Sequence, residues 1–482
     1  MHIELYDYQK QAVKTIRKLD GKAGLFMEMG TGKTRVSLAS MVNDDGTLGA
    51  EFILVVCPSA VAGVWKGEVR KLGLPYKILD LTHGSIPHRA KRLAKLKRFD
   101  QPFIIIVNYE AYWREPLRRQ IVTRRLDAAI LDEIHRTKHR TAKQSRFAHV
   151  LGQREDLKFK LGLSGTPITA GLQDAFSIYK FINPDIFGER YADFERRYVK
   201  KGGFFNKKIV GYKNVKSARK KIAATSFQIA KSEALDLPEQ VDIDISFSLN
   251  KKARKLYDQF TVNSIAEIEG LSESGEPITG TAVSNIMLTM MIRQQQLTGG
   301  FIKTEDDQIV DVDDDKIRVT SELIDDALAS GQKVVVYCRF LHDIERWQKK
   351  YPDSDIFSGQ NKRNRPFIQE GKWVSDKRIM FAQIRAASLG LDFTDASICI
   401  FYSANFSLDD FAQVRDRHHR IGQTNKVTYY YVSAKDTVDD EDIYPALRSK
   451  QSIASKLHDL DYARKILSRK SRGLLDMIEA SP

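Results

Sequence analysis

The chain has 482 residues, more than one hydrophobic core usually serves, and its 42% apolar content is enough to fill two or three. Lys and Arg outnumber Asp and Glu by 77 to 62, leaving a net charge of +15 that suits a polyanionic partner. Three scattered cysteines, Cys57, Cys338 and Cys399, exclude a disulfide framework or a cysteine zinc site, and each lies in an apolar run. No apolar run has the length of a membrane span, and the start "MHIELYDYQKQ" is too polar for a signal peptide. These features predict a soluble, cytoplasmic protein with reduced core thiols and no membrane partner.

In chain order, short Val/Ile-rich runs alternate with helical patterns, the mark of buried parallel strands joined by crossover helices. The first half holds "AGLFMEM", "EFILVVCPS", "PFIIIVNYE", "LDAAILDE" and "FKLGLSGT"; the second holds "QKVVVYCRF", "KRIMFAQI", "ASICIFYS" and "KVTYYYVSA". Between them, "NKKARKLYDQF" and "NIMLTMMIRQQQL" carry helical periodicity. The expectation is an α/β protein of two tandem parallel-sheet lobes, residues 1–235 and 331–440. A hinge and helical segment at 236–330 would separate them, near "DLPEQ", with a helical tail over 441–482. Ligands of such sheets bind at the carboxyl ends of the strands, and "GTGKT", "PSA", "NYE", "DEIH" and "SGT" each follow a strand directly.

"MEMGTGKTR" places Gly30, Thr31, Gly32, Lys33, Thr34 and Arg35 between a strand and a helix. Glycines let backbone N–H groups turn toward phosphates, Lys33 reaches the β and γ oxygens, and Thr34 offers a hydroxyl to Mg2+. The leading glycine of the usual loop is Met27 here. "AAILDEIH" supplies the complementary acids: Asp132 to hold magnesium, and Glu133 to orient and deprotonate water. A helix N-terminus stocked with acids is the bland alternative. Both motifs, in order and each after a strand, predict an enzyme that binds and hydrolyses a nucleoside triphosphate such as ATP.

With these residues in place, the sequence resembles a superfamily-two helicase or translocase of the Swi/Snf-type branch over about residues 3 to 455. The resemblance implies two RecA-like lobes and assigns roles by motif. "LYDYQ" puts Gln9 on the adenine; "LVVCPSAVAGVWKGEVRK" and "IIIVNYEAY" put Ser59, Trp65 and Tyr109 at DNA; "LSGTPI" makes Ser164, Gly165 and Thr166 the coupling motif. "IRAASLGLDF" offers Arg385 to the strand, although Ala386 and Ala387 stand where glycines are usual. In "QVRDRHHRIGQTNKV", Gln413 is a nucleotide contact, and Arg417 and Arg420 meet the γ-phosphate, a task for which the planar, permanently charged guanidinium is suited.

Residues 85 to 125 carry eleven Lys or Arg against three acids, and 200 to 221 carry nine with none, among Phe204, Phe205 and Tyr212. The second run, with Lys207, Lys208, Tyr212 and Lys213, is the expected DNA surface, contacting backbone and so indifferent to sequence. "DVDDDKIRVTSE" mimics calcium-loop spacing, but Lys316 stands where the turn needs glycine, so an acidic turn is expected. The combined expectation is a DNA-dependent ATPase that uses ATP and Mg2+ to move along duplex, forked or branched DNA, alongside replication or recombination proteins. The alternative is a motor subunit of a restriction or defence complex that requires a separate DNA-reading or nuclease partner.

Overall fold

The computed structural model describes residues 3–96, 101–165, 171–202, 208–273, 280–304, 306–360, 366–369, 371–387 and 391–449. The chain divides into two units, Met1–Asp236 and Leu237–Pro482.

In the first unit the strands are β1 (Lys22–Met27), β2 (Phe52–Val56), β3 (Lys77–Asp80), β4 (Phe103–Val107), β5 (Ala128–Asp132), β6 (Phe159–Leu163), β7 (Val199–Gly202), β8 (Lys208–Tyr212) and β9 (Ser226–Ile229). Seven of them form a sheet in the order β3-β4-β2-β5-β6-β1-β9, all pairs parallel, while β7 and β8 make a separate antiparallel hairpin. "FILVV" and "FIIIV" are buried at every position because both sheet faces are covered. Successive residues feed opposite faces: Leu54 and Val56 join Phe176 and Ile182, whereas Ile53 and Val55 join Ala12, Ile16 and Trp65. Since β1, β5 and β6 are parallel neighbours, the segments after Met27, Asp132 and Leu163 emerge at one edge.

In the second unit the strands are β10 (Gln240–Phe247), β11 (Phe301–Lys303), β12 (Ile309–Asp311), β13 (Val334–Cys338), β14 (Asp355–Phe357), β15 (Ile368–Gln369), β16 (Lys372–Trp373), β17 (Ile379–Gln383), β18 (Ile398–Phe401) and β19 (Val427–Ala434). A six-stranded parallel sheet runs β10-β19-β18-β13-β17-β14. The expected hinge segment at 236–330 is therefore not a separate body. Its "QVDIDISF" pairs along its whole length with β19, from Gln240 opposite Val427 to Phe247 opposite Ala434. Helices Lys251–Glu273 and Gly280–Thr298 follow, and residues 450–482 of the expected tail lie outside the described residues.

The acidic turn before helix Asp315–Ala329 binds side chains: Asp311 pairs with His342 at 2.8 Å, and Asp314 with Arg346 at 2.5 Å. Lys316 turns inward and is fully buried against Asp439 at 2.9 Å; Asp439 also accepts from Gln295 at 3.1 Å and Thr298 at 2.6 Å. A buried ion pair contributes little net stability, yet removing one partner strands the other charge. Lys316→Ala is expected to cost roughly 3–5 kcal/mol in urea unfolding, and Lys316→Met combined with Asp439→Leu to cost less than the single change.

His418 is likewise fully buried, its Nε2 2.6 Å from the Tyr337 hydroxyl and its Nδ1 2.9 Å from the Ala396 carbonyl. Burial pushes its pKa down from 6.5 to about 4. The folded state therefore favours the neutral ring, so this contribution is intact above pH 6.5 and is lost as pH falls toward 4. Compared with His418→Gln, the wild-type chain is expected to lose up to roughly 3 kcal/mol more across that window, measured by unfolding at each pH.

Candidate functional site

Three strand ends assemble the candidate site in the first unit. After β1, Gly30 and Gly32 take φ of 81° and 83°, the left-handed turn that an L side chain resists, and helix Lys33–Ser40 begins. A Cβ on Gly32 would sit 2.5 Å from the Gln9 amide nitrogen, so a substitution would displace that side chain in addition to straining φ. Gln9 is buried: its Nε2 donates to the Thr31 carbonyl at 3.2 Å and its Oε1 accepts from the Tyr6 backbone at 3.1 Å. The expected adenine contact thus props the phosphate loop. Lys33 Nζ donates to the carbonyls of Met27 at 2.9 Å and Glu28 at 3.2 Å, lying along the loop. Arg35 pairs with Glu68 at 2.6 Å, Thr31 is buried, and Thr34 is half-buried in the first helical turn.

β5 delivers the acids. Asp132 is buried, and burial first, then the neighbouring Glu133 charge, pushes its carboxyl up to about 6, while the Lys33 charge opposes that rise. Lys33 and Asp132 therefore share one electrostatic environment. Glu133 stands at φ 54° without being glycine, a conformation that costs energy. Its Oε2 lies 3.4 Å from His135 Nδ1, which is 3.2 Å from the Ser164 hydroxyl at the end of β6. Gly165 faces the loop: a Cβ there would lie 3.6 Å from Met29 Cγ and 3.7 Å from the Met27 carbonyl oxygen. Loop, acids and the start of the coupling motif are thus one cluster; Thr166 lies outside the described residues.

Magnesium fits this donor set. A hydroxyl at Thr34 and a carboxylate at Asp132 are hard oxygens, and the crowded acid pair is the environment a cation relieves. Among the described residues no group of three or more His, Cys, Asp and Glu gathers as a cage. An ion held by one carboxylate, a hydroxyl, phosphates and water is the arrangement magnesium prefers.

Two expected DNA contacts are corrected. Trp65 and Tyr109 are both fully buried, so neither ring is presented to a nucleic acid. The Trp65 indole instead donates to Asp132 Oδ2 at 3.0 Å, and the Tyr109 hydroxyl donates to the Asp132 carbonyl at 2.8 Å. Tyr212 is half-buried against the core, with its hydroxyl bonded to Gln173. Ser59 is half-buried in the turn before helix Ala62–Lys71, and Lys213 is exposed after β8. Lys208 opens β8, while Lys207 lies outside the described residues.

The second unit distributes the basic cluster. Helix Leu408–His418 is capped by Ser407, which accepts from the Asp410 backbone at 3.2 Å, and carries acids in its first turn and bases in its last. Arg415 is bound to Asp242 at 2.9 Å and to the Tyr431 hydroxyl at 2.6 Å; Lys426 pairs with Glu239 at 3.1 Å. His419 meets the Pro238 carbonyl and the Gln240 amide, each at 2.7 Å. Arg417 and Arg420 converge instead on a single carbonyl, that of Leu391, each at 3.5 Å. Gln413 is buried, and Arg385 is exposed on the short helix Ile384–Ala387 after β17. Sequence reasoning missed the roles of Asp242 and Gln240. Their signal was the alternation in "QVDIDISF", which puts residues 240, 242 and 244 on one face of β10.

Comparison with known proteins agrees with this geometry. Residues 8–298 match the SNF2-related domain, and residues 315–422 match the helicase conserved C-terminal domain. An uncharacterised ATP-dependent helicase of Mycoplasma genitalium is 26% identical over 94% of this chain and 42% of its own length. The human DNA annealing helicase and endonuclease ZRANB3 is 24% identical over 91% of this chain and 39% of its own. The chain thus spans about two fifths of the length of these relatives. A solved Sulfolobus solfataricus SWI2/SNF2 ATPase core in complex with dsDNA aligns with 95% of this chain and 94% of that one, at 20% identity and a TM-score of 0.43. With the SNF2-related model matched over more than half its residues, and the glycine loop and acid pair both inside that match, the chain belongs to the SNF2-related family.

Proposed function

We propose that this chain is a DNA-dependent ATPase motor that moves along duplex or forked DNA and remodels it. The observation that carries the reading is the cluster in the first unit. Lys33, Asp132 and Glu133 share the carboxyl edge of one parallel sheet, and the coupling-motif Ser164 reaches the acid pair through His135. In this reading Gly30, Thr31, Gly32 and Lys33 hold the phosphates, and Glu133 orients and deprotonates the attacking water. Magnesium, bound with the nucleotide through Thr34 and Asp132, supplies charge neutralisation at the phosphate oxygens. Arg417 and Arg420 stabilise the charge that develops on the γ-phosphate during transfer. Both guanidinium groups reach the Leu391 carbonyl, each at 3.5 Å, which supports their acting at a common point.

DNA is the proposed track. The net charge of +15 and the basic hairpin β7–β8 support contacts to phosphates without base readout. The annealing-helicase name of a human relative supports fork or branch processing in replication, recombination or repair.

The test is hydrolysis by the purified chain on matched single-stranded, duplex, forked and four-way DNA, with RNA as control. Duplex or forked DNA is expected to stimulate turnover, and affinity to fall steeply with salt. Lys33→Ala is expected to abolish turnover, Glu133→Gln to bind ATP without cleaving it, and Arg420→Ala to slow hydrolysis by roughly 10³-fold with nucleotide binding nearly intact. Equal stimulation by RNA would overturn the choice of track; hydrolysis only on addition of a second protein would favour a subunit of a larger complex.

A further inference from the structure

The buried aromatics that follow β2 and β4 call for a role other than touching nucleic acid. Trp65 lies on helix Ala62–Lys71, behind the turn that opens with Ser59, and Tyr109 lies just past Val107. Neither exposes any surface, and each gives its one hydrogen-bond donor to the same residue, Asp132. Trp65 Nε1 takes Oδ2 at 3.0 Å, the Glu133 backbone N–H takes Oδ1 at 3.0 Å, and Tyr109 Oη takes the main-chain carbonyl at 2.8 Å. Donors on both carboxylate oxygens fix its plane, and a third on the carbonyl fixes the end of the strand that carries it. Trp65 and Tyr109 belong to the cores on opposite faces of the sheet, so the two donors reach Asp132 from both sides of its strand.

We infer that Trp65 and Tyr109 are positioning residues for the metal-holding carboxylate Asp132 and are not part of the DNA surface. The inference rests on the reading of Asp132 as the magnesium acid. It goes beyond that reading by assigning to the nucleotide site two residues whose motifs lead one to expect DNA contacts. Partners that orient a metal ligand typically contribute 10–100-fold to metal affinity, and an indole donor on one carboxylate oxygen acts in that way.

The experiment uses the full chain and three variants, Trp65→Phe, Tyr109→Phe and Lys213→Ala. Two affinities are measured without turnover: Mn2+ in the presence of ADP, by electron paramagnetic resonance, and fluorescent duplex DNA, by anisotropy. Trp65→Phe is expected to weaken Mn2+ binding by about tenfold or more, and Tyr109→Phe by a smaller factor, with DNA affinity within about twofold of wild type in both. Lys213→Ala is expected to do the reverse. Loss of DNA affinity with unchanged Mn2+ binding in Trp65→Phe or Tyr109→Phe would overturn the inference and restore a DNA role; unchanged values for both ligands would overturn it as well. Tyr109→Phe removes one oxygen atom and keeps the ring, so it decides the matter if Trp65→Phe does not fold. A wild-type chain that binds Mn2+ with ADP but not DNA would count against the motor reading and leave the metal comparison in force.

Discussion

The arrangement of the first unit depends on one constraint, a carboxylate held out of water at the end of a buried strand. Burial alone drives Asp132 toward its neutral form, and Glu133 beside it adds like-charge repulsion. A fold retains such a pair only where specific donors and a cation offset the cost. The donors are present in Trp65 and the Glu133 backbone, and the Lys33 charge acts in the same direction. Glu133 itself stands at a left-handed φ of 54° and lies 3.4 Å from His135, which contacts Ser164.

The second unit solves the opposite problem, an excess of positive charge in a short segment. Its bases are held by partners or in buried niches of the same unit. Arg415 and Lys426 are neutralised by the polar face and approach of β10, and His418 is kept neutral in the core. The strand that begins the unit is thus bound to the basic helix by side chains as well as by its backbone ladder to β19. Arg417 and Arg420, brought to one carbonyl oxygen, are the pair whose charge is directed at a common point.

The features legible in the sequence were those set by local chemistry. Continuous Val/Ile runs announced both parallel sheets, and Gly-Thr-Gly-Lys-Thr announced a turn with positive φ at Gly30 and Gly32. "QVDIDISF" was harder: its alternation reads as a half-exposed strand of no particular sheet, and only the ladder to β19 makes it an edge of the second one. Aromatic residues were the least legible. Trp65, Tyr109 and Tyr212 occur beside basic segments in the sequence, yet the side to which each ring turns is decided by distant partners, Asp132 for the first two and Gln173 for the third. No local periodicity records a contact 67 residues away in the chain.

Magnitudes explain why such contacts matter more for chemistry than for folding. A hydrogen bond to a charged group contributes roughly 1.5–3 kcal/mol, comparable with many other single interactions in a chain this size. A catalytic carboxylate is judged by a stricter standard, because a displacement of about 1 Å in an oriented group can cost on the order of 10²-fold in rate. Trp65 and Tyr109 reach Asp132 from two separate crossover segments, so the acid keeps its orientation only while both segments keep theirs. The orientation of the strand end is therefore a property of the whole carboxyl edge of the sheet.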